Sequence, residues 1–261
     1  MEPVLVKIGG EIVDHPHFLK LFLTWLQQKY SQNQPVVIVH GAGKQVDILS
    51  KRLDVTTTKH QGRRVTDKKT LEIFIQAMAG SVNKKLISEI RAYGLSAVGI
   101  TAADANISTS VRRKPLNING QNIDFGYVGE IEQINTTFIN LMLENRFIPV
   151  IGCLTWSNDV GLLNVNADTL AMKLAIALNC QTLMLLTKTG AVWDNSNNPL
   201  PTLNWTDFQT GLEQGWIRDG MIPKLQTGFK SIKNGVQEVV ICSPETLVNK
   251  NGTKLLKNEE L

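Results

Sequence analysis

Val4-Leu5-Val6-Lys7-Ile8-Gly9-Gly10 is an apolar run interrupted by one lysine and closed by two glycines. A short aliphatic and β-branched run bounded by glycine reads as a buried strand of a parallel sheet. A lysine near the end of such a strand must reach water or meet an anion, because an unpaired buried ammonium is too costly. Glycines directly behind it let another group approach the backbone closely. Two readings follow: Lys7 points at phosphate, or it snorkels to solvent. The segment alone does not choose between them.

Outward from this stretch, strand candidates recur at Val36–Val39, Ser96–Thr101, Ile148–Gly152, Thr182–Thr187 and Glu238–Cys242. Helix-period segments lie between most of them: His17–Tyr30, Lys44–Leu53, Leu71–Tyr93 with a break near Gly80-Ser81, Thr136–Asn145, Ala167–Leu178, Thr206–Gln214 and Met221–Lys233. Strands alternating with helices make βαβ units, hence an α/β fold with a mostly parallel sheet and helices on both faces. Ligands of such sheets bind at the carboxyl ends of the strands, so functional residues are expected where strands end. Ile107–Val111 and Ile123–Val128 break the rhythm. They flank Asn119-Gly120 and predict a β-hairpin excursion. A soft boundary falls near Val165–Asp168 and divides the chain into 1–165 and 166–261.

The 261 residues are 43% hydrophobic and 19% charged, which suits an ordinary globular protein with a sizeable core rather than a disordered chain. A net charge of +4 without a dense basic run gives no case for nucleic acid. Cys153, Cys180 and Cys242 are odd in number and set in apolar sequence, so they read as free buried thiols of a reducing compartment. No apolar run is long enough to span a bilayer and no signal peptide opens the chain, so the expected location is the cytoplasm.

His40-Gly41-Ala42-Gly43-Lys44 joins a strand end to a helix start, where free N–H groups and the helix dipole favour an anion. It is no Walker A loop, because Ile38 stands where the first glycine is required and Gln45 where Ser or Thr would hold Mg²⁺. A tight turn with no ligand accounts for the glycines equally well. Gly62-Arg63-Arg64-Val65-Thr66 places an arginine before a helix with Thr66 as its expected N-cap. Arg64 there is either a carboxylate clamp or a surface residue. In Leu163-Asn164-Val165-Asn166-Ala167-Asp168 the alternation puts Asn164, Asn166 and Asp168 on one side of an extended segment. Asp168 is then a helix cap or a group that orients lysines, and Asn164 a ligand for an amide or carboxylate. Lys224, in Asp219-Gly220-Met221-Ile222-Pro223-Lys224, sits in a first helical turn, which suits a lysine only with an anion close by. Thr187-Lys188-Thr189-Gly190 is a polar loop at the expected carboxyl edge. Trp193 and Trp216 read as core rather than as a border for a base. His15, His17, His40 and His60 lack metal-ligand spacing and read as caps and surface residues; no metal site is expected.

Lys-Ile-Gly-Gly, His-Gly-Ala-Gly, Gly-Arg-Arg-Val-Thr, Asn-Val-Asn-Ala-Asp and Asp-Gly-Met-Ile-Pro-Lys occur here in the order seen in the amino-acid kinase family. The resemblance runs from about Val4 to Thr253 and within the family is to acetylglutamate kinases. It implies a three-layer α/β/α sandwich with an acyl-amino-acid-binding and dimerising first half and a nucleotide-binding second half. It implies that Lys7 and Lys224 act on the phosphoryl group in flight and that Asp168 holds them. Gly41, Ala42 and Gly43 would line the transfer site, and Arg64 and Asn164 would hold the substrate's α-carboxylate and acylamino group. Lys7, Gly9, Gly10, Thr187, Lys188, Gly190, Ile217 and Arg218 would face the nucleotide.

Three departures stand out. Ala42 replaces a usual glycine and so requires a negative φ. Lys188 stands where many relatives carry aspartate, in a shortened loop. The chain opens at the first strand, without the extra helix of arginine-inhibited hexameric relatives, and it lacks the regulatory domain of aspartate kinases. The implied reaction is transfer from ATP with Mg²⁺ to the side-chain carboxylate of an N-acylated glutamate, in a homodimer. A carboxylate of pKa about 4.3 is already ionised at neutral pH and needs no general base. The alternatives are an N-succinylglutamate or N-acetylaminoadipate kinase of the same family, with Arg112-Arg113-Lys114 a partner for a second carboxylate or a solvated charge run, and a non-catalytic nucleotide-binding module.

Overall fold

The computed structural model describes residues 2–60, 63–118, 120–249 and 251–257. Its centre is an eight-stranded sheet whose strands are, in chain order, β1 (Val4–Ile8), β2 (Val36–His40), β3 (Ala97–Thr101), β6 (Ile148–Gly152), β9 (Thr182–Leu186), β10 (Thr202–Leu203), β11 (Glu238–Cys242) and β12 (Thr253–Leu255). A four-stranded sheet contains β4 (Ser108–Arg112), β5 (Gly129–Ile134), β7 (Leu154–Ser157) and β8 (Gly161–Asn164). The large sheet runs β10-β12-β11-β9-β1-β2-β6-β3, and the β11–β12 pair is its antiparallel member. β2 is buried at every position and β1 everywhere except Lys7, as a strand covered on both faces requires.

The helices are α1 (Gly10–Val13), α2 (Pro16–Ser31), α3 (Gly43–Arg52), α4 (Lys68–Ile75), α5 (Asn83–Ala92), α6 (Thr137–Glu144), α7 (Ala167–Ala177), α8 (Trp205–Glu213), α9 (Met221–Lys233) and α10 (Pro244–Asn249). β1 lies between β2, which leads to β6 and β3, and β9, which leads to β11, β12 and β10. The chain therefore departs in opposite directions from β1. At such a switch point a crevice opens beyond the carboxyl ends of the strands.

Several expectations are corrected. Ser108–Arg112 pairs not with Ile123–Val128 but with Gly129–Ile134, whose side chains alternate inward and outward in the way one covered face demands. Residues 124–128 instead form a connection that buries Phe125 and bridges Gly126 to Thr66. A separate ribbon, Leu116–Ile118 with Gln121–Ile123, stands between; Asn119 of the expected turn lies outside the described residues. The expected break near Gly80-Ser81 is a π-helical stretch, Gln76–Val82, that carries α4 into α5. The β7–β8 hairpin had no counterpart in the sequence reading. All three cysteines are buried and free.

Candidate active site

Lys7 lies near the carboxyl end of β1, and its Nζ is 2.9 Å from Asp168 Oδ1. Lys224 Nζ reaches the same carboxylate at 3.2 and 3.1 Å. The side chains are 12%, 15% and 11% exposed for Lys7, Asp168 and Lys224, so Lys7 does not snorkel. Burial alone would raise the Asp168 carboxyl, but the two ammonium groups hold it at about 2. Burial lowers Lys7, yet contact with Asp168 prevails and its pKa is raised. Lys224, desolvated and beside the charge of Lys7, is pushed down to about 8. One carboxylate cannot neutralise two ammonium groups, so the cluster carries an unmatched positive charge at the head of the crevice.

Helix starts reinforce that charge. α3 begins after Ala42 and α9 after Gly220, both without a side-chain cap and with the positive dipole end toward the cluster; α3 leaves its first N–H groups free, whereas in α9 Met221 and Ile222 N–H are spent on Arg218 and Asp219 C=O and Pro223 has none. Ala42 has φ −140°, the negative value its methyl group requires. Gly41 N–H is spent on Ile8 C=O at 3.3 Å. Gly43 and Lys44 are exposed. Gly10 does not leave open room as expected, because an added Cβ would collide with the Gln45 side chain, which donates to Gly10 C=O at 2.9 Å. At Gly9 the space faces Glu11.

Arg64 occupies a two-residue strand, Arg63–Arg64, paired with Lys59–His60; Gly62 lies outside the described residues. It is no surface residue. Its side chain is 7% exposed, with Nη2 donating to Asp47 Oδ1 at 2.8 Å and to Gly43 C=O at 3.0 Å. Its Nη1 is buried without a hydrogen-bond partner. The Asp47 carboxyl is lowered, burial being outweighed by Lys59 and Arg64. Thr66 is not the cap of α4. Asp67 is, accepting from Thr70 N–H, while buried Thr66 receives Asn164 Nδ2 at 3.1 Å. Gly126, at φ +70°, packs so tightly on Thr66 C=O that no Cβ fits. Asn164 thus stands beside the Arg64 loop. Asn166 turns away as the exposed cap of α7, and Asp168 belongs to the first helical turn, so the three do not share one extended face.

At the end of β9, Thr187 Oγ1 lies 2.9 Å from Thr189 Oγ1 and accepts from Gly190 N–H. Thr246 Oγ1 donates to Gly190 C=O at 2.9 Å and pins the loop. Lys188 spans the crevice to Glu11 at 3.4 Å. Ile217 is buried and packs on Gly211, so only its backbone is available to a ligand; Arg218 is exposed. Trp216 is partly buried against the core, but Trp193 is 41% exposed and its indole N–H donates to Thr189 C=O at 3.1 Å. His40 is neither cap nor surface: it is fully buried. Asp47, Asn83 and Thr246 were not singled out in the sequence, because nothing local marks a side chain that meets its partner across the fold.

The amino acid kinase family model matches residues 2–243. The chain belongs to the amino acid kinase family. Among curated members, acetylglutamate kinases of Cytophaga hutchinsonii and Azobacteroides pseudotrichonymphae are 35% and 36% identical, over 97% and 96% of this chain and 98% and 97% of theirs. The acetylglutamate kinase of Methanothrix thermoacetophila is 34% identical, over 91% of this chain and 83% of its own. Among solved structures, smu.665 of Streptococcus mutans has a TM-score of 0.81 at 28% identity, covering 98% of both chains. A Giardia lamblia carbamate kinase bound to AMP-PNP has a TM-score of 0.71 at 13% identity, covering 98% of this chain and 99% of its own, and shows the shared fold.

Proposed function

We propose that this family member transfers the γ-phosphoryl group of ATP to the side-chain carboxylate of N-acetyl-L-glutamate, giving N-acetyl-L-glutamyl 5-phosphate and ADP, an early step of arginine biosynthesis. The observation that carries the reading is the Asp168 carboxylate shared by Lys7 and Lys224. The acetylglutamate kinases at 34–36% identity support it.

Two anions meet in this reaction, so catalysis is positioning and charge neutralisation. Lys7 and Lys224 hold the oxygens of the moving phosphoryl group, and Asp168 fixes their spacing. Ala42 and Gly43 at the start of α3 offer N–H groups to it. Unpartnered Nη1 of Arg64 receives the α-carboxylate, a charge-assisted bond that completes the guanidinium. Asn164, whose NH₂ is engaged by Thr66, keeps its carbonyl oxygen for the acylamino N–H. ATP lies on the second half, against Gly9, Gly10, Thr187, Lys188, Gly190, the Ile217 backbone and Arg218. Mg²⁺ enters with the nucleotide, held mainly by phosphates and water.

Residues 1–165 and 166–261 are then the acyl-amino-acid and nucleotide halves. A homodimer is proposed from the family likeness and from the outer edge of β3, which pairs with no strand among the described residues. A cytoplasmic location fits three free thiols. Arg112 is engaged by Asp124 and Gly126 C=O, and Arg113 is ion-paired with Glu130 although its Nε has no hydrogen-bond partner among the described residues, so both charges already face carboxylates of this chain, which favours the acetyl over the succinyl substrate. The test is ADP release with N-acetylglutamate, N-succinylglutamate and N-acetylaminoadipate. The expected order puts N-acetylglutamate first, and preference for either rival overturns the substrate assignment.

A further inference from the structure

His40 ends β2 with a fully buried imidazole that the transfer chemistry above leaves unused. Burial pushes its pKa down to about 4, against a weaker opposing contact with Gly41, so the ring is neutral. Asn83, 1% exposed, places Nδ2 3.0 Å from His40 Nε2, 3.0 Å from Val150 C=O and 3.3 Å from Ile100 C=O. Two carbonyl oxygens around that atom fix it as the NH₂ group, because a flipped amide would set oxygen against oxygen. Its two protons serve three neighbours, and a protonated Nε2 would face this NH₂ hydrogen against hydrogen, so Nε2 is the bare nitrogen and the single ring proton sits on Nδ1. Nδ1 faces Gly41 C=O at 3.4 Å, a long contact of the kind that tightens when a substrate complex forms.

The consequence lies in the next peptide. In a trans peptide the C=O and the following N–H point in opposite directions. Holding Gly41 C=O toward the ring turns Ala42 N–H away from it, and no described residue accepts from that N–H. Two features make room for the relay. The π-helical turn Gln76–Val82 shifts the winding immediately ahead of Asn83. Gly152 lacks a Cβ that would stand 3.0 Å from Met78 Sδ and 3.4 Å from His40 Cε1.

We propose that His40 and Asn83 are positioning residues: the Asn83 amide fixes the imidazole tautomer, and the imidazole fixes the Gly41–Ala42 peptide with Ala42 N–H presented to the transferring phosphoryl group. This rests on the kinase reading and deepens it. His40→Asn keeps an N–H near the Nδ1 position, whereas His40→Leu and Asn83→Leu break the relay. Both leucine variants are expected to lose about tenfold or more in kcat, as when one oriented donor is lost. Each KM should stay within about twofold, with His40→Asn between them and the wild type. A ¹⁵N-histidine spectrum of the wild type should show the Nδ1–H tautomer, unchanged from about pH 5.5 to 8. A kcat for His40→Leu within about twofold of wild type, or a charged or Nε2–H ring, overturns the proposal. Should the leucine variants not fold, His40→Asn and the wild-type spectrum still decide. The spectrum is read without substrate, so a wild type that makes no ADP counts against the kinase reading alone.

Discussion

Asp168 offers one negative charge to two ammonium groups, and its behaviour with pH follows. Its depressed pKa means that its contribution to stability is complete above the ordinary 3.8 and is lost as pH falls toward about 2. Lys224 runs the other way: folding disfavours its charged form, so a penalty present below about 8 is relieved as pH climbs toward 10.5. Activity needs the charged form, so kcat/KM for MgATP is expected to fall above about pH 8, while kcat holds to higher pH because bound phosphate keeps Lys224 protonated. Matched pH profiles with no alkaline limb in kcat/KM would contradict this. Asp168→Asn leaves two buried ammonium groups without a counter-charge and is expected to cost about 3–5 kcal/mol, read as a loss in urea-unfolding stability.

Elements explain how Arg64 is held for its proposed role. The short Arg63–Arg64 strand, its Lys59–His60 partner and Asp47 on α3 hold the guanidinium so that one nitrogen is left over. Arg64→Lys keeps the charge but loses the fork, so KM for the acyl amino acid is expected to rise about tenfold or more with KM for ATP unchanged. Steady-state kinetics in both substrates check this. Gly126→Ala places a methyl group at φ +70° against Thr66 C=O and is expected to destabilise by about 1–2 kcal/mol or more, seen as a lower Tm. The central strands were legible because burial on both faces writes continuous apolar runs, as in β1 and β2. The motif-bearing strand ends were legible because glycine and lysine there break those runs. The pairing of Ser108–Arg112 was not, since two short alternating segments competed for it and only packing selects Gly129–Ile134. The Asn83–His40 contact was equally hidden, spanning 43 positions with no local signature.

For the molecule as a whole, the proposed assignment sets acyl-amino-acid residues on one side of β1 and nucleotide residues on the other, with the Asp168, Lys7 and Lys224 cluster at the divide. The half-exposed Lys188–Glu11 pair spans the same divide. A homodimer is expected from light scattering as twice the chain mass, and a monomer at working concentration would overturn that assignment. The central claim is that phosphate passes from ATP to a carboxylate under the hands of two lysines. Trapping with hydroxylamine tests it directly. The wild type with ATP and N-acetylglutamate is predicted to give hydroxamate in step with ADP, and Lys7→Met and Lys224→Met to give about a hundredth of it or less. No hydroxamate from the wild type, or undiminished hydroxamate from both lysine variants, would contradict the account.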